Sequence, residues 1–100
     1  MGRLDGRVAL VTGAGRGFGG AIALAFGREG ADVAVNYNAS AGPAGEVARE
    51  IGESGRRALA IRADVSREDD VRTMVDQAVR ELGRIDVLVN NAGVMARGSF

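Results

Sequence analysis

The sequence predicts an α/β protein built on a doubly wound parallel sheet between two layers of helices. Short apolar runs of strand length alternate with longer runs of helical periodicity, beginning and ending with a strand. The apolar runs are nearly continuous rather than alternating, which is typical of parallel strands covered on both faces. With right-handed crossovers, the four strands are expected in the order 3-2-1-4.

The first strand and helix are joined by a glycine-rich turn. The strand is predicted over residues 8–12, glycines crowd residues 13–20, and apolar helix formers follow at residues 21–26 before Gly30 closes the helix. Glycine reaches backbone angles closed to other residues and, without a Cβ, lets a ligand approach the main chain. The helix N-terminus adds unpaired N–H groups and a positive dipole end, which together suit a phosphate. The predicted ligand is a nucleotide anion.

The spacing of the glycines narrows the class of nucleotide. A P-loop needs Gly-Lys-Ser/Thr after the glycines, and this sequence contains no lysine, which argues against ATP and GTP hydrolysis. A G-x-G-x-x-G match at Gly15, Gly17 and Gly20 is weak evidence in so glycine-rich a stretch. The better match is T-G-x-x-x-G-x-G, from Thr12 to Gly19. The alternative is a glycine-rich turn that binds nothing.

The second strand and helix are predicted from a buried run and a weaker helical pattern. The strand covers residues 32–37, and a polar turn follows at residues 38–42. Pro43 suits the first turn of a helix, and Val47 and Ile51 mark its apolar side.

The third helix has the strongest pattern in the chain. A third strand is predicted at residues 58–63, Ser66 is expected to cap the helix, and acidic residues 68–70 suit its positive end. Gly83 ends the helix, and a fourth strand is predicted at residues 85–90. The apolar stripe consists of Val71, Met74, Val75, Ala78, Val79 and Leu82.

Sequence features without a core explanation gather at the carboxyl ends of the predicted strands. They are the glycine turn, residues 36–38, residues 64–65 and residues 90–93. In doubly wound sheets, ligands bind beyond these ends, at the switch point that here lies between strands 1 and 4. The sequence therefore predicts a single binding crevice at this edge.

These motifs, in this order from about residue 4 to residue 95, resemble the short-chain dehydrogenase/reductase family and within it the 3-oxoacyl-(acyl-carrier-protein) reductase-like branch. Residues 12–19 resemble its T-G-x-x-x-G-x-G cofactor motif, residues 64–65 its adenine-contacting pair, and residues 90–93 its N-N-A-G motif. The resemblance implies a Rossmann-type domain and hydride transfer between a nicotinamide and a carbonyl or alcohol substrate. The implied cofactor-binding residues are Gly13, Ala14, Gly15, Arg16, Gly17, Phe18, Gly19, Asn36, Tyr37, Asn38, Asp64, Val65, Asn91, Ala92 and Gly93.

Each implied contact also has a purely structural alternative. Asp64 would accept a hydrogen bond from the adenine amino group while the backbone of Val65 meets the ring; alternatively, Asp64 only helps to start the next helix. Residues 91–93 would let the backbone pass close to the ribose and nicotinamide. Alternatively, Asn90 and Asn91 only form a turn. The resemblance implies that the asparagines combine both roles and tie strand 4 to its neighbour.

Charge at the end of strand 2 favours NADP over NAD. An NAD site usually places an acidic residue there, which binds the ribose 2′-hydroxyl and repels a 2′-phosphate. Asn36, Tyr37 and Asn38 occupy this region and none is acidic. Arg16 can reach the 2′-phosphate with a charge-assisted fork, as its counterpart does in NADP-dependent members. The alternative is that Arg16 is a solvated turn residue.

Composition limits the other classes of partner. Thirteen basic residues balance 13 acidic ones in 100 residues, and they form no cluster, so neither nucleic acid nor a membrane surface is an expected partner. The chain has no cysteine or histidine, so no metal site is predicted. No segment has the length of a signal peptide core or a membrane span, and a cytoplasmic location is expected.

No catalytic residue is predicted within these 100 residues. The family's active site combines Asn, Ser and a Tyr-x-x-x-Lys pair, whereas Tyr37 is the only tyrosine here and there is no lysine. Strand 4 would leave an open apolar edge, so residues 1–100 are interpreted as one Rossmann domain of a longer reductase that ends here just after strand 4. The family resemblance implies a homo-oligomer, a tetramer or dimer. The alternatives are a non-catalytic NADP-binding sensor or scaffold, and a relic that binds nothing.

Overall fold

Strands and helices alternate strictly along the chain in the computed structural model, which describes residues 2–15 and 17–91. Neighbouring strands all pair in parallel, and their order is β3-β2-β1-β4. The predicted doubly wound, Rossmann-type sheet with strand order 3-2-1-4 is therefore confirmed. The elements are β1 (Val8–Val11), α1 (Gly17–Arg28), β2 (Asp32–Tyr37), α2 (Ala41–Glu53), β3 (Ala58–Arg62), α3 (Glu68–Leu82) and β4 (Val87–Val89).

Helices cover both faces of the sheet. On one face, Val11, Val33 and Val35 pack with residues of α1 and α2. On the other face, Leu10 and Ala34 pack with residues of α3. β1 is buried along its whole length, because it is central in the sheet and helices lie on both sides of it. This position explains its uninterrupted apolar sequence and confirms the three-layer architecture.

The strand register brings the carboxyl ends of the central strands to one edge. Val11, the last residue of β1, pairs with Val35 of β2 and with Val89 of β4. Within the sheet, β2 and β3 lie to one side of β1, and β4 lies to the other side. The predicted switch point therefore lies at this edge, between β1 and β4.

The end of α1 follows the prediction closely. Gly30 has a φ of +101°, its N–H donates to Gly27 O at 3.0 Å, and the Ala31 N–H donates to Phe26 O at 3.1 Å. These two bonds define a Schellman motif, in which a left-handed residue satisfies the last carbonyls of the helix. A Cβ at position 30 would also collide with the Asp5 side chain. Gly30 therefore meets a conformational and a steric requirement at once.

The predicted cap of α3 is wrong. Arg67 is the N-cap residue, with an extended backbone and no capping side-chain bond. Ser66 instead donates its N–H and its hydroxyl to Asp64 Oδ1, at 3.0 Å and 2.6 Å. Ser66 lies one residue before the N-cap position, and its hydroxyl donates a charge-assisted bond to the carboxylate two residues upstream instead of capping the helix. The predicted acidic first turn is present and includes Asp70.

The helix patterns and element bounds are confirmed with local differences. α1 begins inside the glycine turn rather than at residue 21, α2 begins two residues before Pro43, and β4 is shorter than predicted. In the α3 stripe, Met74, Ala78 and Leu82 are buried, whereas Val79 is 42% exposed. Within residues 2–15 and 17–91, no helix combines the length and the apolar character that a membrane crossing would need.

Asp86 joins the starts of β1 and β4. Its Oδ2 accepts the Val8 N–H at 2.9 Å and Arg84 Nε at 2.8 Å, while its own N–H donates to Val8 O at 2.8 Å. The Val8 N–H, helped by the Arg84 guanidinium, holds the pKa of Asp86 below its ordinary value. The charged carboxylate is therefore part of the strand pairing.

We expect Gly30→Ala to destabilise the full-length protein and Gly45→Ala to stabilise it. Alanine at position 30 meets left-handed strain of about 1 to 2 kcal/mol and a collision with Asp5. Gly45 lies in α2 with no atom within 4 Å of an added Cβ, so alanine there gains about 0.5 to 1 kcal/mol. Urea unfolding of both variants measures the difference, and a Gly30→Ala variant at least as stable as wild type would contradict the assigned cap.

Asp86→Asn should lower stability at neutral pH and flatten its acid dependence. Because the folded-state pKa is depressed, the ionised carboxyl stabilises the fold above the unfolded-state pKa, near 4, and this contribution is lost as the pH falls through the folded-state pKa. Urea unfolding from neutral pH down to about pH 2 tests this, with Asp76→Asn, which removes an exposed carboxylate of α3, as the matched control. Parallel curves for wild type and Asp86→Asn would refute it.

Candidate functional site

A pocket of about 280 Å³ lies at the carboxyl edge of β1 and β2. The glycine turn forms one wall and the connection between β2 and α2 forms the other. The structure thus brings together two of the regions that the sequence predicted. Among the residues that the structure describes, none that lines the pocket is acidic; these lining residues are Gly13, Gly15, Tyr37, Asn38, Ala39 and Ser40.

The glycine turn holds the N-terminus of α1 against the end of β1. Gly13 has a φ of +61°, in the left-handed region, where the chain reverses direction after β1. A Cβ at Gly19 would collide with the Gly13 carbonyl, so only glycine permits this approach of helix to strand. A Cβ at Gly15 would lie 3.0 Å from Ser40 Cβ, which brings the turn close to the opposite wall of the pocket.

Asn36 lies beneath the turn and not in the pocket lining. It is only 2% exposed, and its Oδ1 accepts the Gly13 N–H at 3.0 Å. Its Nδ2 lies 3.3 Å from Ile61 O and 3.2 Å from Ala63 O, at the end of β3. Its main-chain carbonyl accepts the Ala14 N–H at 2.7 Å. The amide is therefore committed to internal bonds, and its predicted cofactor contact remains a prediction.

The two asparagines after β4 tie that strand to β1, as the resemblance implied. The Asn91 N–H donates to Thr12 Oγ1 at 2.9 Å, and Asn91 Nδ2 donates to Gly13 O at 3.4 Å. Thr12 Oγ1 also lies 3.3 Å from both Val89 O and Asn90 Oδ1. Thr12 and Asn91 therefore fix the β4 side of the crevice against the start of the glycine turn.

Asp64 follows β3 at the same edge of the sheet. Its backbone N–H donates to Asp70 Oδ2 at 2.9 Å, and its Oδ1 is the acceptor for Ser66. The Ser66 hydroxyl and N–H keep the pKa of Asp64 below its ordinary value, so the carboxylate is charged at neutral pH. Val65 is half-buried against the α3 side of the core. None of these bonds tests the predicted adenine contact, which stays a prediction for both Asp64 and Val65.

The three helix N-termini differ in charge. α3 carries Glu68, Asp69 and Asp70 in its first turn, whereas neither α1 nor α2 has an acidic residue there. Ser40, in the pocket wall, is the N-cap residue of α2 but makes no capping side-chain bond. The positive ends of α1 and α2 are thus not neutralised by acids of their own first turns, and they favour an anionic ligand at the pocket.

Two pocket residues were not predicted from the sequence. Ala39 and Ser40 line the pocket although the sequence indicated only a polar turn there; a hydroxyl residue directly before a helix was the available signal. Phe18 lies in the first turn of α1 with 82% of its surface exposed. The predicted site residues Arg16, Ala92 and Gly93 lie outside the described ranges.

Comparison with known proteins agrees with this geometry. The chain is 49% identical over 96 residues to versicolorin reductase 1 from Dothistroma septosporum, a match that covers 96% of this chain and 36% of that relative. The solved landomycin C-6 ketoreductase LanV with bound NADP and rabelomycin has a TM-score of 0.82 and 43% identity, over 93% of this chain and 40% of that one. The chain thus spans well under half the length of either protein.

A second solved structure carries a different nicotinamide cofactor. It is 7α-hydroxysteroid dehydrogenase complexed with NADH and 7-oxo glycochenodeoxycholic acid, with a TM-score of 0.83 and 42% identity over 88% of this chain and 34% of that one. The model of the short chain dehydrogenase family matches residues 7–100. Because this match covers nearly the whole sequence and agrees with the fold, the chain belongs to the short-chain dehydrogenase family.

Proposed function

We propose that the full-length protein is an NADP(H)-dependent oxidoreductase that transfers hydride between nicotinamide and a carbonyl or alcohol on a small molecule. The observation that carries the proposal is the pocket between the glycine turn and the start of α2, whose described lining residues include no acid. Family membership supports the oxidoreductase class, and the charge of the pocket supports the choice of cofactor.

The described residues fit a dinucleotide. The close approach of Gly19 to the Gly13 carbonyl leaves no room for a Cβ, so the N-terminal turn of α1 starts directly beside the pocket. Its free N–H groups and positive dipole suit the pyrophosphate. Because Asp64 Oδ1 already accepts two bonds from Ser66, Oδ2 is the oxygen that would accept from the adenine amino group.

Charge supports NADP where the solved relatives differ, since the LanV ketoreductase has NADP bound and 7α-hydroxysteroid dehydrogenase is complexed with NADH. Tyr37 ends β2 at the position where an acidic residue would repel a 2′-phosphate. The Ser40 hydroxyl and the N-terminus of α2 lie in the same wall, and both suit that phosphate. Arg16 is proposed to add a charge-assisted contact.

In this mechanism the residues of the chain bind and orient the dinucleotide. Residues 91–93 are proposed to pass close to the nicotinamide, which would supply or accept the hydride when bound. Proton transfer is assigned to the family's Ser and Tyr-x-x-x-Lys elsewhere in the full-length protein, because these 100 residues contain no lysine. We further propose that the full-length protein is a cytoplasmic homo-oligomer that acts on a small-molecule substrate and has neither a nucleic acid nor a membrane as partner.

The full-length protein should oxidise NADPH in the presence of a suitable ketone. A panel of aromatic and aliphatic ketones, followed by the loss of NADPH absorbance, tests this, with binding of NADPH measured separately by its fluorescence. The opposite result is a protein that binds NADPH, turns over no substrate and lacks a downstream Tyr-x-x-x-Lys. That result would contradict the proposed enzyme activity and favour a cofactor sensor.

Tyr37→Asp should shift the preference from NADPH to NADH. A carboxylate at the end of β2 would repel the 2′-phosphate, and like charges a few ångströms apart at a protein surface weaken NADPH binding by at least about tenfold. NADH should bind as well as before or better, because the carboxylate accepts a bond from the ribose hydroxyl. Isothermal titration calorimetry with NADPH and with NADH measures both dissociation constants.

Tyr37→Asn is the matched control, because it removes the ring without adding charge.

Arg16→Ala should also weaken the binding of NADPH more than that of NADH, by about tenfold for a charge-assisted contact. Arg28→Ala controls for the loss of one positive charge on α1. Equal losses for the two cofactors in Tyr37→Asp and Arg16→Ala would overturn the assignment to NADP.

A further inference from the structure

We infer that Asn36 is a positioning residue that holds the glycine turn at a fixed place relative to the end of β3. The inference rests on the proposed function for its ligand but concerns a contact inside the protein. Asn36 touches neither the pocket space nor solvent, since it is absent from the lining and is 2% exposed. Its role is to set the separation between two cofactor-binding segments.

The bonds of Asn36 link three strand ends. Oδ1 holds the Gly13 N–H directly after β1, and Nδ2 lies within bonding distance of Ile61 O and Ala63 O at the end of β3. Asp64, which the proposed function places at the adenine, is the next residue after Ala63. One side chain therefore connects the phosphate-binding turn with the adenine edge.

A carboxamide of this length satisfies all of these bonds at once. The Gly13 N–H requires an acceptor, while the two β3 carbonyls require a donor, and a carboxylate at position 36 would direct an oxygen at those carbonyls. In a buried position, each group left unpaired costs free energy. The Asn36 amide thus holds the turn in place through bonds that use both its acceptor and its donor.

The bonds of Asn36 also determine which backbone N–H groups of the glycine turn are available to bind a ligand. Its side chain takes the Gly13 N–H and its main-chain oxygen takes the Ala14 N–H, so both point into the protein. An anion therefore depends on amides later in the turn and at the start of α1. Loss of the Asn36 side chain frees the Gly13 peptide to rotate, and this misplaces the donors that follow it.

The test uses two ligands of different span in the full-length protein. NADPH needs both the turn and the β3 edge, whereas adenosine occupies only the adenine end and carries no phosphate for the turn or Arg16 to bind. Asn36→Ala should weaken NADPH binding by about tenfold, as expected for a buried group left unpaired, and adenosine binding by less than about threefold. Leu82→Ala, buried on α3 on the other side of the sheet from α1, is the control for a general loss of stability and should leave the ratio unchanged.

Equal weakening of both ligands by Asn36→Ala, or no weakening of either, would overturn the inference. If that variant does not fold, Asn36→Asp replaces it, because its buried carboxyl regains the donor when protonated. Its NADPH dissociation constant, relative to wild type, should then fall between about pH 8 and pH 5.5. A ratio that does not change with pH would overturn the inference.

A ligand-free measurement separates this inference from the proposed function. The Gly13 amide should be protected from hydrogen exchange in wild type, and Asn36→Ala should lose most of that protection. Unchanged Gly13 exchange in the variant would overturn the positioning role even where NADPH binds. Failure of wild type to bind either NADPH or NADH would instead overturn the proposed function, whatever the Gly13 exchange shows.

Discussion

The binding edge depends on the contact between α1 and the end of β1. The Gly13 carbonyl occupies the space that a Cβ at position 19 would need, so the helix can start this close to the strand only because residue 19 is glycine. The same carbonyl accepts a bond from Asn91 Nδ2, and the same residue donates its N–H to Asn36. β1, β2, β4 and α1 therefore meet at one glycine, and the pocket forms beside it.

The fold was predictable because its strongest constraints are local and apolar. A strand buried on both faces has no polar position, so the run from Val8 to Val11 identifies a central parallel strand without any tertiary information. The cap of α3 was not predictable in the same way. Ser66 is a good capping residue, but the Asp64 carboxylate competes for its hydroxyl, and the outcome depends on how the chain leaves β3.

The site was predictable as a set of segments but not residue by residue. The sequence grouped Asn36 with Tyr37 as neighbours at the end of β2, yet successive side chains of a strand point to opposite faces. Tyr37 packs on the α1 and α2 side, where the pocket lies, and Asn36 reaches across to the end of β3. Ser40 was missed because its pocket position depends on the close approach of Gly15, which only the folded turn shows.

This alternation separates two kinds of polar residue at the edge. Thr12, Asn36 and Asn91 bond to the backbone of neighbouring strands, so their substitution changes the position of the turn itself. Tyr37 and Ser40 face the pocket, so their substitution changes the charge and shape that a ligand meets. Cofactor preference can therefore change at the second group while the turn stays in place. A substitution in the first group instead weakens the binding of every ligand that depends on the turn.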